Sequence, residues 1–427
     1  MLKKGIFFLF AFFVCSLKGQ TEIKTMFYNT LNYNSDTQSQ NRTHHLKTIL
    51  NEVKPDLFMI CEIKNETASN YLFDNAILPF NKSFSKVTFK YSESPATGLL
   101  QMAYYNNKKL TLIAEEIIPT RIRDINHYTF KINTKNSTIN PIIIEVFVTH
   151  LKASRGNDNM QKRLESTEIF TRELDRLPSD SFVLFAGDFN FYTSNEPAFQ
   201  KLINVTNSIK IIDPANRLCP TFPDNGIDYF NEDNYNSTYF WNNSSFADVH
   251  SQSTRTFQIN GDGAGGGMDD RFDFIMMSEN FTSSSDLFYV NESYTSIGNN
   301  GDCYNSYVSN PSCSGFFSQS LRNTLFNFSD HLPVVMEIET PENTLSIKEI
   351  KNPISFLSKN IISNEFQIKV NSKIDFDHFT IYNQLGQKIK TIAITNQQII
   401  QVNTSNFPKG IYYLKVDAFK PLKFIKI

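Results

Sequence analysis

The side chains best suited to chemistry follow an apolar segment near the middle of the chain. Phe182–Ala186 predicts a buried strand, which Gly187 ends and which Asp188 and Asn190 follow, where sheet-based enzymes tend to place their chemistry. Residues two apart in an extended chain point the same way, so both side chains would face one point. The carboxylate would orient or deprotonate a water molecule, and the amide would hold that water or a phosphate. For the segment alone, a strand followed by an Asp/Asn turn is the competing interpretation.

Six other polar residues stand at or beside a predicted strand end, or on the polar face of a strand. They are Asn29, Glu62, His150, Asp273, Asp330 and His331. The Glu62 carboxylate is a hard oxygen ligand of the kind that Mg²⁺ and Mn²⁺ prefer. His331 is able to protonate or hydrogen-bond a phosphate oxygen, and Asp273 or Asp330 would fix its tautomer. These are the residue types that hydrolysis of a phosphodiester needs.

Apolar runs of strand length precede or contain most of these residues. They are Glu22–Tyr28, Leu57–Cys61, Ile142–Thr149, Arg271–Met277 and Val334–Ile338. Leu46, Ile49, Leu50 and Val53 recur at helical spacing, and the segments either side of Asn106-Asn107 predict a hairpin. Strands with interspersed helices and long polar loops favour an α/β sandwich of two sheets.

Two long polar segments, residues 214–267 and 293–328, interrupt the predicted strands, and loops of this length are usually functional or disordered. In the first, the aromatic run Tyr239–Trp241 either stacks on bases, enters a membrane interface or packs within the insertion. Four basic residues follow His150, namely Lys152, Arg155, Lys162 and Arg163. They form either a patch that faces phosphate or an ordinary charged helix face.

Length and charge bound the class of protein. The 427 residues suffice for two folded units, and residues 1–20 place Lys3 and Lys4 before a short apolar run, which predicts a secretory signal. The net charge is −2, with the acidic excess in residues 21–344 and a lysine-rich end. A tight, non-specific polyanion binder is seldom acidic. An acidic domain instead suits a protein that gathers carboxylates around a cation.

The cysteines fit an exported protein. Export permits disulfides, and the four cysteines after the leader allow three pairings, among which Cys303–Cys313 is favoured because the two flank one short polar loop. Cys61 lies inside an apolar run and is expected to be a core thiol.

Six segments in order resemble a known superfamily. FYNTLNY, PDLFMICEIKN, VTHLKAS, FAGDFN, RFDFIMMS and SDHLPVV are similar to motifs of the metal-dependent endonuclease/exonuclease/phosphatase superfamily, in its deoxyribonuclease and sphingomyelinase branch. The resemblance covers residues 21–340. It implies a four-layer α/β sandwich, two packed β-sheets flanked by helices.

The resemblance also implies roles for single residues. It gives a metal site formed by Asn29, Glu62 and Asp330, with Mg²⁺ as the expected ion and Mn²⁺ or Ca²⁺ as alternatives. It gives a catalytic group formed by His150, Asp188, Asn190, Asp273 and His331. Glu62 would be the principal ligand, and His331 the catalytic histidine.

The end of the chain resembles another family. The segments FTIYNQLGQKIK and NTSNFPKGIYYLKV are similar to the C-terminal sorting domain of type IX secretion cargo. An immunoglobulin-like accessory module is the alternative. The expected domains are a signal peptide (1–20), the catalytic domain (21–340), a linker (341–352) and a small all-β sorting domain (353–427).

These observations predict a secreted or cell-surface hydrolase of phosphoric esters. We expect a divalent-metal-dependent phosphodiesterase, an extracellular nuclease acting on DNA or RNA. A sphingomyelinase-like phospholipase, a phosphomonoesterase and a non-catalytic surface adhesin are the alternatives. The expected partners are nucleic acid, or phospholipid under the first alternative, and the type IX secretion machinery, which would bind residues 353–427. The protein is expected to be a monomer.

Overall fold

The computed structural model describes residues 21–95, 98–341, 354–357, 360–370, 378–394, 399–416 and 421–427. The predicted signal peptide, and the predicted linker apart from Pro341, lie outside these residues. The chain divides into two compact units at Ser346 and Ile347, and each unit is described by itself.

The first unit contains thirteen of the described strands. They are β1 (Thr21–Tyr33), β2 (Leu57–Ile63), β3 (Phe84–Lys86), β4 (Leu100–Asn106), β5 (Leu110–Ile118), β6 (Ile125–Ile132), β7 (Ile143–His150), β8 (Phe182–Asp188), β9 (Ile211–Ile212), β10 (Asp273–Ser278), β11 (Phe288–Tyr289), β12 (Thr295–Ser296) and β13 (Val334–Thr340). Its α-helices are α1 (Thr37–Val53), α2 (Glu66–Leu72), α3 (Leu78–Phe80), α4 (Asn157–Leu174), α5 (Pro197–Leu202), α6 (Asn280–Ser283) and α7 (Gln319–Phe328). A π-helical turn, Phe73–Ile77, joins α2 to α3, and 3₁₀ turns lie at Glu232–Asn234, Ser237–Tyr239 and Ser244–Phe246.

These strands form two mixed sheets, each built around one parallel pair. The first sheet has the order β11-β13-β1-β2-β4-β3, with β12 also paired to β13, and β1 runs parallel to β2. The second has the order β5-β6-β7-β8-β10-β9, and β7 runs parallel to β8. All other pairs in both sheets are antiparallel. The carboxyl ends of one parallel pair from each sheet therefore form the two halves of the candidate site.

Alternation along the strands builds the layers. In β7 and β8, Val146, Val148, Leu184 and Ala186 belong to the core that the two sheets share. Their neighbours Phe147, Val183 and Phe185 face the other way and pack against Phe170 and Leu174 of α4. Buried residues of α1 and α2 cover the first sheet. Two sheets with helices outside them confirm the predicted four-layer sandwich.

Two predicted elements differ from the structure. The strand predicted to end at Tyr28 continues to Tyr33, with a register shift between Asn29 and Tyr33 where Leu31 and Asn32 adopt positive φ. The hairpin predicted around Asn106-Asn107 is wrong, because β4 and β5 belong to different sheets and the chain crosses between the sheets here. The crossing is what allows one continuous chain to build both halves of the sandwich.

The insertion at residues 214–267 is fixed to the second sheet by a buried ion pair. Both Arg271 Nη atoms donate to the Asp213 carboxylate, at 2.8 and 2.7 Å, and both side chains are almost fully buried. The indole of Trp241 is also buried, donates to the Arg217 carbonyl and packs on Phe274. Trp241 is therefore a packing residue, but the ring on which it packs lies in β10 and not within the insertion.

The cysteines behave as predicted. Cys303 and Cys313 form a disulfide in the polar segment between β12 and α7. Cys61 is a buried free thiol in β2, and Cys219 is a buried free thiol in the insertion.

The second unit is a small all-β fold. Its described strands are β14 (Ile354–Phe356), β15 (Ile361–Ile362), β16 (Glu365–Val370), β17 (His378–Asn383), β18 (Lys388–Ala393), β19 (Ile399–Asn403), β20 (Gly410–Lys415) and β21 (Leu422–Lys426). They form sheets of order β14-β16-β19 and β15-β21-β20-β17-β18 around a core that includes Phe366, Phe379 and Phe424. Among the described residues of the whole chain, we find no helix with the length and apolar character that a membrane span requires.

The Arg271–Asp213 pair yields a prediction about stability. We expect Arg271→Met to lower the free energy of unfolding by about 3–5 kcal/mol, because it leaves the buried Asp213 carboxylate without its partner. Lys210→Met is the matched control, since it breaks an exposed pair with Glu279 and should cost less than about 1 kcal/mol. Urea unfolding monitored by circular dichroism measures both values. Equal losses for the two variants would contradict the structural role of the buried pair.

Candidate active site

The first half of the site lies at the carboxyl ends of β1 and β2. Asn29 pairs in register with Cys61, so the next residue of β2, Glu62, comes to the same edge. Glu62 has a φ of 60°, a left-handed conformation that a residue with a side chain adopts only under constraint. The backbone N–H of Asn32 donates to Glu62 Oε2 at 2.8 Å and helps to fix this carboxylate.

The second half lies at the equivalent edge of the other sheet. His150 ends β7, Asp188 ends β8, and Asp273 begins β10, and the strand register places Asp188 between the other two. Gly187 permits this pairing, because a Cβ on it would lie 2.4 Å from the carbonyl oxygen of Thr149. By the alternation along their strands, the side chains of His150, Asp188 and Asp273 all face the other sheet.

The two halves meet at the side chain of Asn29. Its Nδ2 donates to Glu62 Oε1 and to Asp188 Oδ2, each at 3.0 Å, and lies 3.3 Å from His331 Nε2. Its Oδ1 accepts from the backbone N–H of Leu31 at 2.9 Å. With its oxygen used in this way, Asn29 holds the carboxylates in place.

His331 is oriented by a carboxylate. Its Nδ1 lies 2.7 Å from Asp273 Oδ2, which also accepts from Ser251 Oγ at 2.6 Å. Its Nε2 faces the cleft, 3.7 Å from Asp188 Oδ2 and 2.6 Å from Gln252 Nε2. His331 and Asp273 thus form a hydrogen-bonded dyad, and the Nε2 atom of His331 points at residues of the other strands.

His150 and Asn190 surround Asp188 from the remaining sides. His150 Nε2 lies 3.4 Å from Asp188 Oδ2 and 3.9 Å from Glu62 Oε1. Asn190 Nδ2 donates to Asp188 Oδ1 at 2.7 Å, with Asn190 in the left-handed region at a φ of 52°. Seven of the eight predicted residues therefore form one connected group.

Asp330 stands at the edge of this group. Its Oδ2 accepts from the backbone N–H of Ala264 at 2.7 Å and from Gln252 Nε2 at 3.2 Å. Its Oδ1 is buried and has no hydrogen-bond partner among the described residues. Gln252 links Asp330 to His331, so the eighth predicted residue joins through a side chain that sequence reasoning missed.

Burial and neighbouring charge shift the protonation of the group. Burial raises the pKa of Asp188 to about 7, with Asp273 and Glu62 adding to the rise. Burial also raises the pKa of Glu62, and Asp330 adds to that rise. Although its burial acts in the opposite direction, the carboxylates of Asp273, Asp330 and Asp188 hold the pKa of His331 well above its ordinary value.

His150 is held neutral. Burial, with the positive charge of Arg123 second, lowers the pKa of its imidazole well below the ordinary value. The guanidinium of Arg123 donates to the backbone carbonyls of His150 and Leu151, at 3.3 and 2.7 Å. The surroundings therefore favour the neutral form of His150 and the charged form of His331.

The donor set fits a hard divalent cation. Ligand atoms of Glu62, His150 and Asp188 lie within 4.8 Å of one another. Burial raises the pKa of both Glu62 and Asp188, and a cation between the two carboxylates would offset the cost of removing their charges from water. Asp330 Oδ1, buried without a hydrogen-bond partner among the described residues, is a further oxygen in this group of residues. Glu62 would hold such an ion, with the carboxylates of Asp188 and Asp330 near it.

Several residues of the site escaped prediction. Gln252, Ser251 and Asn32 lie in loops or at a bulge, where neither periodicity nor a motif signals them. Of the basic residues after His150, Arg163 is buried in an ion pair with Glu196, and Lys162 pairs with Asp158 in the same helix. For Lys162 the alternative of a charged helix face therefore holds, and the buried Arg163 fits neither of the two interpretations.

The comparisons with known proteins begin with the tail. Residues 360–426 match the family model described as a secretion system C-terminal sorting domain. The predicted sorting domain is confirmed by this match, which indicates a protein that is secreted or held at the cell surface. No relative among curated proteins matches the chain.

Several solved structures are similar to part of this chain. TDP2 of D. rerio, complexed with a single-strand DNA product, is 14% identical, with 74% of this chain and 99% of that chain covered and a TM-score of 0.43. The human Nocturnin catalytic domain is 13% identical (75% and 97% covered, TM-score 0.43). An endonuclease/exonuclease/phosphatase family protein from Bacteroides thetaiotaomicron is 14% identical (75% and 96% covered, TM-score 0.43). At these identities the likeness concerns the fold and not what this chain binds.

The crowded carboxylates predict a measurable metal site. We expect MgCl₂ or MnCl₂ to raise the melting temperature of the full chain, and EDTA to reverse the rise, because an ion bound only by the folded state stabilises it. Glu62→Gln should lose most of this shift, since it removes one of the paired charges. Glu279→Gln, an exposed acid in a surface pair, should keep it. A shift that is equal in the wild type and in Glu62→Gln would count against the site.

Proposed function

We propose that the protein is a secreted, divalent-metal-dependent phosphodiesterase that hydrolyses nucleic acid outside the cell. The observation that carries the proposal is the convergence of Asn29, Glu62, His150, Asp188 and His331, from both sheets, on one point. The catalytic domain would span residues 21–340, and residues 353–427 would address the chain to the type IX secretion machinery.

Asp188 is the residue we assign to the attacking water. A carboxylate is suited to act as a general base when a water molecule lies within hydrogen-bond reach of it. Asn190 and Asn29 donate to its two carboxylate oxygens, which fixes the direction in which it accepts a proton. Oriented in this way, Asp188 would align a water molecule with the phosphorus atom.

His331 and His150 are the residues we assign to the phosphate. Asp273 orients His331 and the surrounding carboxylates raise its pKa, so its Nε2 would donate to a phosphate oxygen as negative charge develops there. His150 is neutral and would add a second, uncharged hydrogen bond. A divalent ion bound at Glu62 would polarise the scissile phosphate and stabilise the leaving oxygen.

Nucleic acid is the proposed substrate because a cationic and an aromatic side chain follow the catalytic strands along the chain. Arg155 and Tyr192 follow the two catalytic strands closely in sequence, and the Arg155 guanidinium lies 4.9 Å from the Tyr192 ring. A polymer whose scissile phosphate occupies the cleft would place its next base and phosphate near this edge.

The assigned roles predict selective loss of activity. We expect Asp188→Ala and His331→Ala to lower kcat on plasmid DNA by roughly 10²–10⁴-fold, the usual contribution of a positioned acid or base. Circular dichroism should show unchanged secondary structure. His44→Ala, which alters an exposed histidine of α1, is the matched control and should retain full activity. Full activity of both site variants would defeat the assignment.

Substrate choice requires a separate experiment. We expect the purified full chain to degrade plasmid DNA or RNA, to leave sphingomyelin vesicles intact and to lose all activity in EDTA. Restoring Mg²⁺ should restore the activity, because the ion neutralises charge that develops on the phosphate. Hydrolysis of sphingomyelin alone would point to the phospholipase alternative. Hydrolysis that persists in EDTA would contradict the assigned chemistry.

A further inference from the structure

A polar pocket of about 450 Å³ opens between α1, α7 and the end of the insertion at residues 214–267. A volume of this size is in the range that binds a small molecule or a nucleotide. The lining residues that matter below are Leu31, Asn41, Arg42, Arg255 and Asp262. None of them takes part in the chemistry assigned above.

Hydrogen bonds join this pocket to the Glu62 side of the candidate metal site. Asp262 Oδ1 accepts from Asn32 Nδ2 at 2.7 Å, and the backbone N–H of the same Asn32 donates to Glu62 Oε2 at 2.8 Å. Leu31, which lines the pocket, donates its backbone N–H to Asn29 Oδ1 at 2.9 Å. A single residue therefore spans from the metal-site carboxylate to the wall of the pocket.

The opposite wall of the pocket adjoins Asp330. The backbone N–H of Thr254 donates to the Asp330 carbonyl at 2.9 Å, and Arg255 is the next residue. Gly263 also lies against Asp330, because a Cβ on this glycine would lie 3.1 Å from Asp330 Cγ. The pocket thus borders the candidate metal site at both Glu62 and Asp330.

Arg255 is buried but keeps donors without partners. The residue is only 2% exposed, and its Nε donates to the Phe326 carbonyl at 3.0 Å. In the part of the chain that the structure describes, neither Nη atom makes a hydrogen bond and no ion pair involves the side chain. Both Nη atoms belong to a residue that lines the pocket, and neither is sealed from solvent. A guanidinium held in this way is suited to bind an anion bidentately.

Arg42 brings a second positive charge to the same pocket. Its Nη2 donates to the Leu31 carbonyl at 2.7 Å, and its Nη1 donates to the carbonyls of Thr30, at 3.2 Å, and of Phe328. These carbonyls orient the guanidinium but do not neutralise it. No carboxylate of the described residues forms an ion pair with Arg42.

Asp262 is the one acid among the described residues that line the pocket. Its Oδ1 already accepts from Asn32 Nδ2 and from the backbone N–H of Gly263, at 2.7 and 3.0 Å. Two guanidinium groups against one carboxylate leave the pocket with a net positive charge. An anion is therefore the ligand that this pocket favours.

We propose that the pocket binds a second phosphate group of the substrate strand, next to the phosphate that is cleaved. Arg255 binds this phosphate through its two Nη atoms, and Arg42 adds charge. The inference rests on the proposed function and narrows its substrates to molecules with at least two phosphates in a row, as in DNA and RNA. Phosphate contacts fix the position of a strand and carry no sequence information, so no base preference follows.

The same pocket disfavours sphingomyelin as the substrate. Its headgroup has a single phosphate, which would occupy the cleft, and a choline cation beside it. Both guanidinium groups would repel that cation if it entered the pocket. The pocket therefore favours the nuclease over the phospholipase alternative.

Trinucleotides with one neutral linkage test the second phosphate contact. Each carries one phosphodiester, which is the bond cleaved, and one uncharged methylphosphonate, which lies on its 5′ side in one version and on its 3′ side in the other. We expect the full chain to cleave one version roughly tenfold more slowly than the other, because a charged hydrogen bond is lost on the side that faces the pocket. Equal rates for the two versions would overturn the proposal.

Arg255→Gln should abolish the difference between the two trinucleotides. Arg172→Gln is the matched control, since it removes the same charge from an exposed position of α4, and it should keep the difference. A difference that survives in Arg255→Gln shows that another part of the protein reads the flanking charge, and the proposal fails.

Asn41→Asp decides the question if the buried Arg255 variant does not fold. Asn41 is exposed and lines the pocket, so the substitution adds a negative charge there with little effect on folding. It should slow cleavage of the trinucleotide that has two phosphodiesters. Asn51→Asp adds the same charge to α1 about 15 Å further along the helix and should not. Equal rates for the two variants would contradict the phosphate contact.

Binding measured without cleavage separates this inference from the proposed function. Fluorescence anisotropy in EDTA measures the affinity for a labelled single-stranded oligonucleotide over a range of salt concentrations. Arg255→Gln should reduce the slope of log affinity against log salt by roughly 0.7, as the loss of one phosphate contact on a single strand predicts. Such a loss, absent from Arg172→Gln, supports the pocket even if no hydrolysis is found. The same slope in both variants overturns it, even if the cleft hydrolyses DNA.

Discussion

Two buried carboxylates from different sheets share the amide nitrogen of Asn29, and the site depends on this contact. Glu62 belongs to the first sheet and Asp188 to the second, and each lies 3.0 Å from the same Nδ2. Like charges held together out of water repel strongly, so the arrangement requires a rigid frame and a compensating charge. The two packed sheets are the frame. The charged form of His331 and a divalent cation would together offset the negative charge of the two carboxylates.

This constraint couples folding to chemistry. A one-residue slip of β8 against β7 would turn Asp188 away from the shared core and replace it with a neighbour of opposite orientation. Gly187 is required for this register, because its lack of a side chain lets β8 lie against Thr149. The fold therefore does more than display the residues, because its register decides whether the carboxylates meet.

Much of the site was predictable because it obeys local rules. Asp188, His150 and Glu62 follow apolar runs of strand length, and alternation tells which way each points. The failed hairpin at Asn106-Asn107 shows the limit, since two strands joined by a short turn look alike in sequence whether or not they pair. Which sheet a strand joins depends on partners far along the chain.

The loop residues of the site could not be predicted from the sequence for the same reason. Gln252 contacts His331 and Asp330 only because the insertion folds back across the cleft, and no period in the sequence encodes that return. The basic residues after His150 show that the burial of a charged side chain could not be predicted either. Arg163 looks like a surface charge but is buried against Glu196, while Arg155, a few residues earlier, keeps its donors unpaired.

The acidic character of the first unit also affects how a polyanion would bind to it. Long-range attraction to phosphate is weak for such a surface, so affinity must come from contacts at short range. His331 and His150 would supply such contacts in the cleft without a broad basic field. An enzyme built in this way would release its products readily, because each cleavage shortens the segment that spans the few favourable contacts.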